Sequence, residues 1–341
     1  MFAHWCGLEA PGAALASMLA FALLVSMLID RVAGEPRAAL HPVVGMGRYL
    51  KISGDMAAGF SRIPAFGAGA VAWCAGAAVL ACAAWLLQSF VLVQMRRAAA
   101  LPGPGSALAA LVLLLAAAWL LKCMLSWRML REETAAVEAA LAESLPAGRA
   151  RLSWLVSRDT ARLSASEVRE SAIESLAENL NDSVVAPIFW FVLLGLPGAV
   201  VYRFANTADA MWGYRGHYRG RYWEWAGKWA ARADDLLSWA PARITALLLA
   251  LAAGGLPLSR LRSEAGRTPS PNSGWPMAAM AAALGVRLGK PGVYTLNPTG
   301  RLPQAADAEL ARTLASRVVM AAVAMSLAAI AAGAGGAAWT M

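Results

Sequence analysis

Four apolar blocks constrain this chain more than any other feature. They fall at roughly 12–29, 67–95, 106–126 and 318–339. A helix needs about 20 apolar residues to cross a bilayer core, and it satisfies its own backbone groups while doing so. The 341 residues are 59% hydrophobic and 15% charged, with mean hydropathy +0.52. That is too apolar for an ordinary soluble domain. No segment alternates with the period of two that marks a strand, and no internal repeat stands out. The expected fold is all-α: a polytopic integral membrane protein with about four spanning helices.

Two further apolar blocks are broken or short. Residues 184–202 contain Gly195-Leu196-Pro197-Gly198, and residues 243–258 end in Gly254-Gly255-Leu256-Pro257. Gly and Pro at these places suit re-entrant or interfacial hairpins. Charge argues the same way. With four crossings, 28 of the 30 Lys and Arg residues face one side, and only Arg96 and Arg97 face the other. Crossing at all six blocks would move residues 203–242 outside with six more basic residues. The positive-inside rule favours four spans with both termini outside. Residues 1–341 then form a single membrane-embedded domain, with 127–317 as its helical, cytoplasmic-side catalytic region. The N-terminus carries Glu9 and no Lys or Arg ahead of its apolar block, unlike a cleaved signal peptide.

The formal charge of +9 is read first as loops facing anionic lipid and second as phosphate binding. No basic run interleaves with aromatics, so nucleic acid is not an expected partner. Cys6, Cys74, Cys82 and Cys123 form no CxxC pair and read as buried thiols. His4, His41 and His217 are too scattered for a histidine zinc site.

The chemistry-bearing stretch runs from Glu167 to Asp182. At about 100° per residue, Glu167, Glu170, Ser171, Glu174, Glu178, Asn181 and Asp182 share an arc of roughly 120°. Arg169 and Asn179 fall on the apolar side of that wheel. Ser164-Ala165-Ser166-Glu167 has capping-box form, so the helix should start there. Oxygen ligands in a stripe beside a membrane suit a Mg²⁺–phosphate site. A solvated acidic face explains the same stripe equally well.

Five other segments carry polar groups at turns. Glu35 and His41 sit in a Gly- and Pro-rich loop after the first span. Arg158, Asp159 and Thr160 precede the acidic helix, where an Arg and hydroxyls can hold phosphate or make a structural ion pair. Asn206, Thr207 and Asp209 are followed by Tyr214 and Arg215. A hairpin at Gly195 would return Asp209 to the membrane face of Asp182. Arg232, Asp234 and Asp235 lead to Arg243; adjacent Asp residues repel unless a cation neutralises them. Ser270, Asn272, Ser273 and Trp275 form a small-residue turn able to cradle an anion, or a plain surface turn.

In this order the segments closely resemble the adenosylcobinamide-phosphate synthase family of cobalamin biosynthesis. The matching pieces are GEP…HPVVGMG at 34–47, SRDT at 157–160, ESLAENLNDSVVAP at 174–187, YRFANTADAMWGYR at 202–215, AARADDLLSWAPAR at 230–243 and SPNSGWP at 270–276. Arg37 replaces a commonly present second Pro, Ser238 replaces an Asn, and Gly289-Lys290 replaces a Gly-Gly, with altered residues around Tyr294. The acidic motifs are intact. The resemblance implies a multi-pass enzyme of the cell (inner) membrane with its active site facing the cytoplasm. It implies an ATP- and Mg²⁺-dependent ligase that joins adenosylcobyric acid to (R)-1-amino-2-propanol O-2-phosphate or a related aminoalcohol phosphate. A complex with other cobalamin-pathway enzymes is a further expectation.

On that reading Glu174, Glu178, Asp182, Asp209, Asp234 and Asp235 are candidate Mg²⁺ ligands. Arg158, Arg215, Arg232 and Arg243 are candidate phosphate clamps, and Glu35 or His41 the base that takes the amine proton. Asp159, Thr160, Asn179, Asn206, Thr207, Tyr214, Ser270, Asn272, Ser273 and Trp275 complete the expected substrate contacts. Two other classes fit the residues without the resemblance: a Mg²⁺-dependent prenyl transferase and a transporter with broken helices.

Overall fold

The computed structural model describes residues 11–101 and 103–339. His4, Cys6 and Glu9, with the expectations placed on them, lie outside the described residues. The chain is all-α apart from two small ribbons. The helices are α1 (Pro11–Ala33), α2 (Pro42–Ala57), α3 (Arg62–Ala100), α4 (Pro104–Met124), α5 (Trp127–Glu143), α6 (Leu145–Leu152) and α7 (Ala165–Leu180). They continue with α8 (Ala186–Trp212), α9 (Lys228–Leu237), α10 (Trp239–Ala252), α11 (Leu258–Ala265), α12 (Gly274–Leu284) and α13 (Ala305–Trp339). A π-helical turn, Asn181–Val185, joins α7 to α8. The ribbons are antiparallel pairs, β1 (His217–Tyr218) with β2 (Arg221–Tyr222) and β3 (Leu288–Lys290) with β4 (Tyr294–Leu296). Neither ribbon was expected; three residues are too few to show a period of two.

Five helical runs among the described residues are long and apolar enough to cross a bilayer: Gly12–Ala33, Arg62–Ala100, Pro104–Glu143, Ala165–Trp212 and Ala305–Ala334. The bent pair Lys228–Leu237 and Trp239–Ala252 would make a sixth. The protein is thus an all-α polytopic membrane protein. Three runs contain the first three expected blocks, and Ala305–Ala334 covers the fourth as far as residue 334. The remaining run contains the broken block, and it bends sharply back on itself. Gly195 has φ 68° and ψ −154° inside α8, a left-handed conformation that glycine adopts without a Cβ clash. A Cβ on Gly198 would lie 2.2 Å from the carbonyl oxygen of Trp190, whereas eight residues of straight helix span about 12 Å. Gln88 of α3 caps the bend, its Oε1 accepting from the Leu196 N–H at 2.9 Å. The bend falls where the Gly195-Leu196-Pro197-Gly198 break predicts one.

The described chain divides into two compact units. One holds the chain up to Leu125, Pro187–Asp234 and the chain from Val323; the other holds Ser126–Ala186 and Asp235–Ala322. The segment 127–317 therefore contributes to both. In the first unit α4 packs on α1 and α3, and α2 packs on α3. Trp212 is buried there and donates its indole N–H to Leu50 O at 3.0 Å. Cys123 is buried, but Cys74 and Cys82 are exposed on α3 rather than packed inside the protein; α3 is an apolar span, so a thiol costs little on its outer surface.

In the second unit α5, α6 and α7 pack around Val137, Leu152, Leu163, Val168 and Ala172. Complete burial of one such Leu or Val contributes about 1.5–3 kcal/mol. On its other side α7 contacts α12 and β3, and α12 packs on α10 and α11. Arg169, the misfit of the helical wheel, forms a fork with Glu138 of α5 at 2.8 and 2.7 Å. It faces a partner helix, which is why it sits beside the apolar residues.

Candidate functional site

The capping box sets where α7 begins. The Ser164 Oγ accepts from the Glu167 N–H at 3.3 Å, and the Glu167 carboxylate accepts from the Ser164 N–H at 2.7 Å. From that start, helical spacing carries Ser171, Glu174, Ser175 and Glu178 onto one wall of a polar cavity of about 350 Å³. Ser157, Arg158, Thr268, Ser270, Ser273, Lys290 and Tyr294 line the rest. Arg158, Glu174, Glu178, Asn179, Ser270 and Ser273 were all expected site residues, drawn from three separate motifs. Asn179 is a correction to the wheel: it lines the cavity, with its amide donating to Ser175 O at 2.9 Å. The helix widens into the π turn just beyond it, and such turns are common at functional sites.

The electrostatics of the cavity are unbalanced. Glu174 is 2% exposed. Its Oε2 accepts from Arg158 Nη2 at 3.1 Å, while its Oε1 and Arg158 Nη1 are both buried without a hydrogen-bond partner in good geometry among the described residues, the Tyr294 hydroxyl lying nearby. Glu178 follows one turn later, so two carboxylates face the same space as Arg158 and Lys290. Burial, then the neighbouring carboxylates of Glu174 and Glu178, push the Tyr294 phenol well above the usual tyrosine range. Tyr294 therefore keeps its proton and can donate.

Lys290 and Tyr294 were not among the expected site residues. They bracket the turn of the β3–β4 ribbon, where Val293 N–H bonds Lys290 O at 2.9 Å and Gly292 has φ 72°. Pro291-Gly292 at the centre of such a turn is the type II signature. That dipeptide was the available signal. The same ribbon residues also line a second cavity of about 410 Å³ with Glu167, Glu170 and Arg287. There Arg287 donates to the nearly buried Glu170 at 3.2 Å.

The other expected residues of this unit are placed as follows. Asp182 lies in the π turn, accepting from the Asn181 amide at 2.7 Å. Asp159 accepts from the Ala161 N–H at 2.9 Å, and Thr160 is buried. Arg243 is held between the rings of Trp239 and Trp275, 4.4 and 4.9 Å from their centres. It donates to Asn272 Oδ1 at 3.0 Å, while the Asn272 amide donates to Asp235 O at 2.7 Å. Arg243, Asn272 and Trp275 thereby fasten the 270–276 turn that presents Ser270 and Ser273.

The remaining expected residues belong to the first unit. There Glu35 bridges Lys122 Nζ at 2.9 Å and His41 Nε2 at 3.2 Å, and Lys122 also pairs with Asp30 at 3.0 Å. Asp30 and Lys122 are each 1% exposed. Their separation in sequence hid this network. Asn206 lies 3.5 Å from Asp234, and Thr207 bonds back to Arg203 O at 2.7 Å. The Gly213 N–H caps Asp209 O at 2.7 Å. Tyr214 stacks on Tyr218 at 3.6 Å; Arg215 and Arg232 are exposed.

Among the described residues no group of three or more His, Cys, Asp or Glu side chains is placed to hold a metal ion. Mg²⁺ does not need one, because it takes one or two carboxylates and completes its shell with water and substrate phosphate. The orphaned Glu174 Oε1 beside Glu178 fits that requirement.

These features define a class: a polytopic helical membrane protein carrying a deep, charge-lined cavity in one of its two units. Within that class the chain belongs to the CobD/Cbib family, whose model matches residues 23–329. It is 41% identical over 280 residues to a probable cobalamin biosynthesis protein CobD of Methanothermobacter thermautotrophicus, covering 80% of this chain and 85% of the relative. It is 42% identical over 273 residues to the cobalamin biosynthesis protein CobD of Chromobacterium violaceum, covering 78% and 80%. A Pyrococcus furiosus relative with the same probable assignment is 39% identical over 285 residues, covering 84% and 90%. No solved structure matches the chain.

Proposed function

We propose that this chain is an ATP- and Mg²⁺-dependent amide synthase of the cell (inner) membrane with its active site on the cytoplasmic side. It would join adenosylcobyric acid to (R)-1-amino-2-propanol O-2-phosphate, or a related aminoalcohol phosphate, giving adenosylcobinamide phosphate. The supporting observation is the cavity in which Arg158 and Lys290 face Glu174 and Glu178, with buried, unpartnered valences on both sides of the Arg158–Glu174 pair. Its membership of a family with cobalamin-biosynthesis relatives supplies the corrinoid.

Amide synthesis from a carboxylate requires a leaving group. In the first step a carboxylate oxygen attacks the γ-phosphorus of ATP; the new O–P bond forms and ADP departs. In the second step the amine attacks the acyl carbon, phosphate leaves, and the amine gives up a proton. Arg158 and Lys290 neutralise phosphate oxygens, and the protonated Tyr294 donates to one of them. Ser270 and Ser273 orient the anion. Glu174 would hold Mg²⁺, which would supply charge neutralisation on the transferring phosphoryl group. Glu178 is the proton acceptor within the cavity. At about 350 Å³ the cavity sits at the small end of ligand sites, about 300–1,000 Å³. It takes phosphates and the reacting arm, leaving the macrocycle outside.

The test is turnover by the detergent-purified protein with adenosylcobyric acid, ATP, Mg²⁺ and aminopropanol phosphate, read by mass spectrometry. Amide product that disappears without ATP or with chelator is the expected result. No product with this amine, ethanolamine phosphate or the free aminoalcohols would overturn the proposal.

A further inference from the structure

We propose that the groove between α5 and α13 binds a phospholipid headgroup, with Arg131 and Arg312 on the phosphodiester and Glu309 on the headgroup's donor arm. The groove has a volume of about 280 Å³, and its polar wall includes these three residues. It lies wholly within the second unit and apart from the cavity of the α7 carboxylates.

Three observations carry this. First, Arg131 and Arg312 form no ion pair among the described residues, and the Arg312 Nε is buried without a hydrogen-bond partner. The neighbouring Glu132 is already engaged by Arg128 at 2.7 Å. Two guanidinium groups facing one groove repel each other, and a shared phosphate relieves that with fork-like bonds. Second, α13 changes character at Val318: its charged residues end at Arg317, and the rest is apolar. Arg312 stands six residues earlier, about 9 Å along the helix axis. The headgroup layer is roughly 5–8 Å deep beyond the hydrocarbon, and an arginine side chain easily covers the difference. Third, Glu309 shares the groove and forms no ion pair among the described residues. A headgroup ending in an ammonium or hydroxyl satisfies it, whereas choline has no N–H or O–H to give. Inorganic phosphate offers the arginines the same chemistry but neither the donor arm nor the acyl chains.

The test is the melting temperature of the detergent-purified full-length protein with short-chain phosphatidylethanolamine, phosphatidylglycerol, phosphatidylcholine or inorganic phosphate. The ethanolamine and glycerol lipids should raise it by a few degrees, and the other two by clearly less. The double variant Arg131→Gln/Arg312→Gln should lose the rise while melting like the parent. Glu309→Gln should make the three lipids equivalent. Should the double variant itself melt low, Arg131→Gln alone, at an exposed position, carries the test. A rise that survives loss of the arginines, or equal stabilisation of the parent by phosphatidylcholine, would overturn the site. A full rise with inorganic phosphate would make it a soluble-anion site and overturn the lipid assignment.

Discussion

Two charge clusters in this molecule look alike in composition and differ in how fully they are satisfied. In the first unit the Lys122 ammonium reaches Asp30 at 3.0 Å, Glu35 at 2.9 Å and Leu125 O at 3.0 Å. Two of these contacts are hydrogen bonds and the Asp30 contact is an ion pair, so one cation meets three oxygens. In the second unit Arg158 and Glu174 meet through one contact at 3.1 Å, and each keeps a buried atom with no partner. A buried polar atom left unpaired costs about 1–3 kcal/mol. A fold retains such atoms when a ligand completes them. The cluster in which one ammonium meets three oxygens ties α1 to α4 and holds the Glu35–His41 loop; the one whose two charges share a single contact is where substrate is expected.

The largest effect should come from the cluster of the second unit. Glu178→Gln keeps the shape of the side chain and removes its charge. Amide formation should fall by about 10²–10⁴-fold with an unchanged melting temperature; turnover within a few-fold of the parent would remove Glu178 from the chemistry. Lys122→Met should do the opposite. It removes the cation from between the fully buried Asp30 and Glu35, which keeps His41, at about 3–5 kcal/mol. The protein should melt markedly lower or fail to accumulate. A variant that is stable but inactive would break the comparison by making the first cluster catalytic.

Leu152→Ala calibrates the two. Leu152 is completely buried in the core against which α7 packs, and its truncation should cost about 2–5 kcal/mol. Chemical denaturation would read the loss, and activity per folded molecule should stay near the parent's. Tyr294→Phe should be the mildest change. It removes one donor from the cavity, worth about 0.5–1.5 kcal/mol, so turnover should drop by roughly tenfold or less. A larger loss would promote Tyr294 from orienting the anion to taking part in proton transfer.

Much of this could be read from local patterns. The Ser164–Glu167 box starts α7 at Ala165 as spacing requires. The Gly-Leu-Pro-Gly break at 195–198 becomes a sharp bend because Gly195 has no Cβ to obstruct it. Helical spacing also put Glu174 and Glu178 on one face. The wheel misjudged Asn179, since α7 is contacted on several sides and has no single polar face. Lys290 carries no such local mark, because the three-residue strands flanking its Pro-Gly turn are too short to show an alternating pattern.

The sequence by itself determined the apolar spans, the helix starts and breaks, and the family. Each depends on residues within a few positions of one another, where backbone sterics and bilayer thickness act directly. Only the tertiary structure decided which charges meet. Lys122 pairs with Glu35 across 87 residues, and Arg287 with Glu170 across 117. Such pairings follow from how the helices pack, and no local period records them. The same packing left Arg158 and Glu174 incomplete, and that incompleteness marks the site.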